Sequence, residues 1–276
     1  MACPLSSPLA RLLLAASCLC VASPAAATET GAEWSFGGHL KYQFIYLDYP
    51  QDSIFHEVLG SHAVDNNLET RIKLGAQRQA WDFKLDFQFI ATHADTLQLA
   101  QSLPGSALPV NSVISDDRRW WNLTHSFGDE QTAMIQRLDR LSVGHTTEHT
   151  VWRFGRQAIS WGNGLVFNPM DIFNPFDPAA VDKEYKTGDD MLYGQYLFSN
   201  GSDLQGVGVV RRDPRSGEVE QDQSSFALKY HGFVGMNEFD LLAAVHYDDL
   251  VIGAGGSMDI SGAVLRGDLT WTDTDT

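Results

Sequence analysis

Cysteine is missing from all but the first 20 residues, because Cys3, Cys18 and Cys20 are the three that the chain contains. The rest of the chain therefore has no disulfide and no thiol chemistry, which excludes a disulfide-stapled secreted scaffold. Basic residues are also scarce: 19 Lys and Arg stand against 35 Asp and Glu, for a net charge of −16. This acidic balance argues against nucleic acid as a partner.

Beyond the amino terminus, the sequence also lacks any apolar run long enough to form a membrane helix. The amino terminus has Arg11, an apolar run from Leu12 to Val21, and a small-residue cleavage site at Ala25–Ala27. This order is typical of a secretory signal peptide, and we expect residues 1–27 to be removed. Lipidation of Cys18 is the alternative. A membrane location would require strands closed into a barrel.

The clearest pattern that is present lies between Asn67 and His93. Two stretches of this segment alternate apolar with polar residues, and only the short break Arg78–Ala80 separates them. Period-two alternation predicts strands with one apolar face, and so short a break predicts a hairpin. One face is aromatic and aliphatic while the other is charged at nearly every step. That contrast is typical of a strand between lipid and a polar lumen.

Ten strands are predicted in residues 28–276, most of them near the length that crosses a bilayer at a tilt. Short turns alternate with long loops between them, as in outer-membrane barrels with periplasmic turns and external loops. We therefore predict an all-β, antiparallel up-and-down transmembrane β-barrel. The predicted strands are Trp34–Asp48, Leu68–Arg78, Trp81–His93, Ala133–His145, Val151–Trp161, Met191–Phe198, Leu204–Arg212, Ser224–Phe233, Glu238–Asp248 and Asp259–Thr272. The predicted long loops are Tyr49–Asn67, Ala94–Thr132, Gly162–Asp190, Asp213–Gln223 and Asp249–Met258.

Aromatic residues sort with the two kinds of connection, which predicts a girdle at each membrane interface. Those predicted beside the short turns are Trp34, Trp81, Trp152, Phe198, Phe233, Phe239 and Trp271. Those predicted near the long loops are Tyr46, Trp161, Tyr193 and Tyr247.

The polar faces of these strands predict a lumen of mixed charge. Alternation is broken at Arg137, Asp139 and Arg140, and again at Arg153 and Arg156, where a β-bulge or a different register would explain each slip. Opposed charges across a pore would orient polar solutes; alternatively, they pair off and fill a narrow barrel. The predicted pore-lining residues are Lys41, Glu69, Arg71, Lys73, Asp82, Lys84, Asp86, Arg153, Arg156, Lys229, Asp240 and Arg266.

The loop Gly162–Asp190 is the richest of the connections. Three prolines make the loop rigid and prevent it from forming a strand, and exposing its apolar side chains to water would be unfavourable. We expect it to fold into the barrel mouth and constrict it, or else to cap a neighbouring loop or subunit. The predicted constriction residues are Phe167, Asn168, Met170, Asp171, Phe173, Phe176 and Asp177.

The segment Trp152–Pro178 resembles part of Gram-negative outer-membrane porin-like barrels, of the alginate-export-like and general porin kind. The specific part is RFGRQAISWG, Arg153–Gly162. The resemblance implies a passive or solute-selective channel without a cofactor, surrounded by outer-membrane lipid, with small solutes and the barrel-assembly machinery as partners and an oligomer as an option. Such barrels usually end on a strand with a terminal aromatic, whereas this sequence ends in LTWTDTDT. We therefore expect it to be an amino-terminal fragment of a larger barrel.

Three enzyme-like patterns lack the context that their chemistry needs. His145–His149 has the H-x-x-E-H spacing of a zinc protease, but it is flanked by strands rather than lying on a helix. Ser126 and its polar neighbours are predicted to lie in a loop without a nucleophile turn. Gly253–Gly256 has no strand-to-helix context for phosphate. We predict no enzyme, cofactor or metal, and a channel for small hydrophilic or anionic solutes. The alternative is a structural or adhesin-like barrel whose acidic external loops bind a partner.

Overall fold

The computed structural model describes residues 31–97, 115–165, 167–175 and 185–274. These residues form one antiparallel sheet of twelve strands and a short helix, so the prediction of an all-β, up-and-down fold is confirmed. No helix in the described ranges is long and apolar enough to cross a membrane. The elements are β1 Glu33–Asp48, α1 Ile54–Leu59, β2 His62–Arg78, β3 Trp81–Ala94, β4 Thr124–Gly128, β5 Thr132–Thr146, β6 Thr150–Gln157, β7 Asp189–Leu197, β8 Asp203–Val209, β9 Ser225–Val234, β10 Asn237–His246, β11 Asp249–Ile260 and β12 Ala263–Asp273.

Consecutive strands pair with one another along the path β1-β2-β3-β5-β6-β7-β8-β9-β10-β11-β12. Strand β4 lies off this path and pairs with residues 133–137 of β5, while β6 pairs with residues 141–146 on the same side of β5. Within the described ranges β1 and β12 are the two edges of the sheet, and they share no hydrogen bonds. Closure into a barrel is therefore a proposal.

The predicted hairpin is present as β2 and β3, in which Arg78 pairs with Trp81 across the turn. Its faces are those that the alternation predicts. Ile72 and Trp81 are exposed on one face, whereas Arg71 and Gln88 are buried on the other. The same alternation runs through β1 and β8 to β10, because successive side chains of a strand point to opposite faces.

The strand count was wrong, because two predicted loops contain strands. Strand β4 lies inside the predicted loop Ala94–Thr132, and β11 fills the predicted loop Asp249–Met258. The predicted tenth strand combined the end of β11 with β12. Glycines made β11 look like a loop, since glycine is depleted in strands. Strands β10 and β11 are instead joined by a tight turn at Tyr247 and Asp248, whose φ angles of 54° and 73° are typical of a two-residue hairpin.

The sorting of the aromatic residues is correspondingly less strict than predicted. Trp34, Trp81 and Trp152 are exposed at the ends of strands beside short turns. Trp271, however, pairs with Ile252 near the β10–β11 turn, and so lies at the opposite end of the sheet.

The expected girdle at the long-loop end was wrong for two of its four members. Trp161 is buried among apolar side chains, and Tyr193 lies half-buried against the same cluster. Tyr46 is exposed there, as predicted.

The irregularity in β5 is a β-bulge at Asp139. Asp86 pairs with Arg140 and Phe87 with Leu138, so Asp139 has no partner on β3. One extra residue in a strand offsets its alternation locally. This explains why Arg137, Asp139 and Arg140 could not be fitted to one face from the sequence.

The sheet is curved around the loop that joins β6 to β7. Asn163, near the start of this loop, hydrogen-bonds Asp240 of β10 and Asp268 of β12. Tyr185, near its end, lies over Arg71 of β2. One loop can contact both ends of the strand path only if the sheet wraps around it, so the polar face is concave. The apolar core lies where the loop meets β7 to β11.

Candidate functional site

The convex face of the sheet is apolar and exposed across its whole width. Each strand of the path contributes at least one large apolar side chain that is more than a third exposed. In a soluble protein, exposed apolar patches larger than about a few hundred Å² are uncommon and mark an interaction surface. Examples in strand order are Phe36, Ile72, Trp81, Val143, Phe154, Leu192, Leu204, Phe226, Leu241, Ile252 and Leu265.

The concave face carries buried charges, and its first cluster lies on β2, β3 and β5. Arg71 is 2% exposed, and its Nη1 donates to Asp139 at 2.8 Å and approaches Asp86 at 3.4 Å. Arg137 and Arg140 also contact the Asp139 carboxylate, at 3.5 and 2.8 Å. Three guanidinium groups therefore share one carboxylate, which is made possible by the bulge that places Asp139 between the two arginines of its own strand.

A second charged cluster lies on β9, β10 and β12. Lys229 and His231 contact Asp240 Oδ1 at 3.1 and 3.0 Å. The side-chain amide of Asn163 donates to Asp240 at 2.8 Å and to Asp268 at 2.9 Å. Both carboxylates are thus hydrogen-bonded to the loop, which holds the start of the loop against the strands at this end of the path.

The middle of the loop is seated on small residues. Met170 is fully buried, and Trp161 donates its indole N–H to Gln205 of β8 at 2.7 Å. A Cβ added to Gly255 would lie 3.0 Å from Met170 Sδ, and one added to Gly253 would lie 3.3 Å from Met170 Cγ. The glycines that disguised β11 in the sequence therefore make room for the loop.

The end of the loop is fixed by polar contacts. Lys186 forms an ion pair with Asp171, and Asn174 hydrogen-bonds the carbonyl of Thr187 and the amide of Ile159. Burial raises the pKa of Asp171 above its ordinary value, and this outweighs the opposite effect of Lys186. Tyr185, which precedes Lys186 in the chain, contacts the cationic side chains of Arg71 and Lys73 on β2.

Tyr185 is the side chain that joins the loop to the first charged cluster. Its ring centroid lies 4.3 Å from Cζ of Arg71 and 4.0 Å from Nζ of Lys73, and the ring stacks on His39 at 5.5 Å between centroids. These distances are those of cation–π contacts. The sequence offered no signal for this role, because a lone tyrosine in a polar stretch resembles any loop residue.

Most of the predicted pore-lining residues lie on the concave side. Arg153 contacts Asp82 at 3.4 Å, with both side chains partly exposed. Arg266 is exposed on the edge strand β12, and Lys84 is exposed on β3. The others on the concave side by alternation and contact are Lys41, Glu69, Arg71, Lys73, Asp86, Lys229 and Asp240.

Arg156 is the exception among them. It lies two residues from Phe154, on the convex side of β6, and is 1% exposed. Its guanidinium donates to Asp190 at 2.8 Å, to Asp116 at 2.9 Å and to the carbonyl of Trp121 at 2.6 Å. A segment before β4 therefore covers it, and Arg156 lines no open surface.

The covering segment is residues 115–123, which we call the outer strap. Trp120 and Trp121 pack edge-on against Phe154, with ring centroids 6.2 and 5.5 Å away. Burial alone would raise the pKa of Asp116, but the hydrogen bonds from Arg156 and Arg119 outweigh it and hold this pKa below its ordinary value. The strap was missed because its partners are distant in sequence.

The predicted constriction residues divide into three sets. Met170, Asp171 and Phe173 are buried in the seated loop, while Asn168 is half-buried beside Gly162. Phe167 is 78% exposed and so stands outside the packed part. Phe176 and Asp177 lie outside the described residues.

The enzyme-like patterns have the following settings. His145 is the penultimate residue of β5, and His149 lies in the turn before β6, as expected. Ser126 lies on β4 and Gly253–Gly256 on β11, so the prediction of loops there was wrong. Among the described residues, no group of three or more His, Cys, Asp or Glu side chains could hold a metal ion.

A scan against protein-family models, a search of curated proteins and a search of solved structures each found no match for this chain. The relation to porin-like barrels that Arg153–Gly162 indicates therefore stays a prediction based on those residues.

Proposed function

We propose that this chain is an outer-membrane channel protein that passes small hydrophilic or anionic solutes. The observation that carries the proposal is the exposed apolar face, which extends over every strand from β1 to β12 while the opposite face holds buried charges. A water-soluble sheet would have the opposite arrangement, with its apolar side chains buried. Lipid against the convex face and water along the concave face account for both observations.

In this proposal, solutes pass along the concave face beside the β6–β7 loop. The loop narrows the path, because its apolar middle is packed onto the strands and its two ends are fixed to opposite parts of the sheet. The charged clusters on either side of the loop would orient a polar solute as it passes.

Ion conduction by the purified full-length chain in a planar lipid bilayer tests the proposal. We expect discrete conductance steps, and a shift of the reversal potential toward cation preference when Lys73 on the concave face becomes Glu. Arg78→Glu is the matched control, because it makes the same charge change on the same strand at the exposed turn. Its shift should be smaller, since charge outside the narrow path is screened within about a Debye length of 10 Å.

Insertion into the bilayer without any conductance would refute a channel. That result would instead favour the structural or adhesin-like barrel, for which the external loops rather than the concave face carry the function.

A further inference from the structure

The ring of Tyr185 occupies a flat slot on the concave face. Arg71, Lys73 and His39 all lie against this one ring, at the distances given above. No hydrogen bond to the Tyr185 hydroxyl occurs in the part of the chain that the structure describes. The ring is therefore held by cation–π and stacking contacts, which are weak enough for a competing ring to replace.

The slot also has unused hydrogen-bond donors. Among the described residues, Nε of Arg71 and Nη1 of Arg137 are buried without a hydrogen-bond partner. Arg71 Nε belongs to the same guanidinium on which the Tyr185 ring lies. Buried donors are usually paired, and those of a charged group especially so. The natural partner for such a donor is an anionic oxygen, which forms strong charge-assisted hydrogen bonds with guanidinium groups.

The local charge balance also leaves room for an anion. Arg71, Arg137 and Arg140 share the carboxylate of Asp139, Arg71 also approaches the carboxylate of Asp86 at 3.4 Å, and the ammonium of Lys73 lies over the same ring. In these contacts four cations face two carboxylates. One further carboxylate would add a counter-charge without leaving an existing one unpaired.

We propose that this slot binds an aromatic carboxylate, whose ring replaces that of Tyr185 and whose carboxylate meets the guanidinium groups of Arg71 and Arg137. The inference rests on the proposed function and specifies its solute class. A planar ring is required because the slot already holds one against a guanidinium, an ammonium and an imidazole. An aliphatic carboxylate or inorganic phosphate would satisfy the donors but would leave the ring position without its cation–π contacts.

Equilibrium binding to the full chain in detergent micelles, measured by calorimetry, tests the site without relying on conduction. The probes are benzoate, cyclohexanecarboxylate and inorganic phosphate; the first two carry the same charge at neutral pH and differ mainly in the π-system. A cation–π contact of moderate strength corresponds to about a fivefold change in affinity, so benzoate should bind about fivefold more tightly than cyclohexanecarboxylate.

Two variants define the slot. Tyr185→Leu removes the resident ring and should tighten benzoate binding about fivefold, because the competing contact is gone. Lys73→Gln, at a partly exposed position where folding is little affected, should reduce the preference for benzoate over cyclohexanecarboxylate. Tyr230→Leu is the matched control on the convex face and should change neither value.

Equal affinities for benzoate and cyclohexanecarboxylate, or a Tyr185→Leu protein that binds benzoate no better, would overturn the proposal. Stronger binding of phosphate than of benzoate would also overturn it, because an anion site without a ring requirement would then explain the cluster. Conduction without these preferences refutes the site alone, whereas the expected binding pattern without conduction refutes the channel and leaves the site.

Discussion

Replacing Arg156 with Met should destabilise the protein far more than the same change at Arg153, three residues earlier on β6. The side chains of Arg156, Asp116 and Asp190 are at most 1% exposed. Removing the guanidinium leaves two buried carboxylates and the carbonyl of Trp121 without their shared donor. Breaking a buried ion pair in this way costs about 3–5 kcal/mol. Asp116 retains Arg119, which places the expected loss toward the lower end of that range.

Arg153→Met is the matched control, because it replaces the same residue type by the same amino acid on the same strand. Arg153 and its partner Asp82 are 25% and 21% exposed and 3.4 Å apart. A pair this open to solvent contributes about 0.2–1 kcal/mol. The two variants should therefore differ by about 2 kcal/mol or more, which is over tenfold in the unfolding equilibrium.

Urea titration of the chain folded into phosphatidylcholine vesicles, followed by tryptophan emission, measures both losses. With a slope of about 2 kcal/mol per M, the Arg156→Met midpoint should fall by about 1.5–2 M. Adding Asp116→Leu and Asp190→Leu to Arg156→Met should recover part of the loss, because neither buried carboxylate then remains, although Arg119, whose side chain is 16% exposed, loses Asp116 as its partner. Equal losses for the two arginine variants, or no recovery in the triple variant, would contradict the geometry of the outer strap.

Three further outcomes are expected. Gly255→Val should displace the loop at a cost of about 1–3 kcal/mol and speed trypsin cleavage within it, because the new side chain meets the Asp268 carboxylate as well as Asn163 and Met170 of the loop. Gly267→Val, which has open space at its Cβ, should have neither effect. Leu228→Arg should disfavour folding into vesicles by about 2–4 kcal/mol if the convex face meets lipid, and a negligible change would refute that contact. The lowered pKa of Asp116 means that its contribution to stability is complete above the ordinary value of 3.8 and is lost as the pH falls through the lower, folded-state pKa. Acid titration should show this loss in the native protein but not in Asp116→Asn.

Strands in which apolar and polar residues alternate without interruption could be predicted from the sequence. Strand β11, against which the β6–β7 loop packs, could not. The hairpin of β2 and β3 could be predicted because its apolar and charged residues alternate, so that the type of each side chain indicates the face on which it lies. In β11, Gly253 and Gly255 are small because Met170 packs against them, and Met170 lies 83 and 85 residues earlier in the chain. A residue that is small because something else approaches it looks the same, in one sequence, as a residue in a turn.

The candidate site on the concave face could also be predicted in part from the sequence. The apolar content of the β6–β7 loop indicated that it would fold inward, and Met170 and Phe173 do so. Period-two alternation through Trp152 and Phe154 also places Arg156 on the apolar face, which is a signal in the sequence against the predicted pore-lining position of Arg156. What the sequence could not show was the cover supplied by the outer strap, since that contact depends on the whole path of the sheet.

The bulge in β5 has a consequence for length variation. Asp139 is the residue skipped by the pairing with β3, so a chain lacking it would keep uninterrupted pairing. Arg137 and Arg140 would still face Gln88 and Asp86, because the skipped residue changes the count and not their partners. Excising this one aspartate is thus a deletion that the strand can absorb geometrically. The deletion would nevertheless remove the carboxylate that Arg71, Arg137 and Arg140 share. The extra residue in β5 is therefore what allows these three arginines to lie close together.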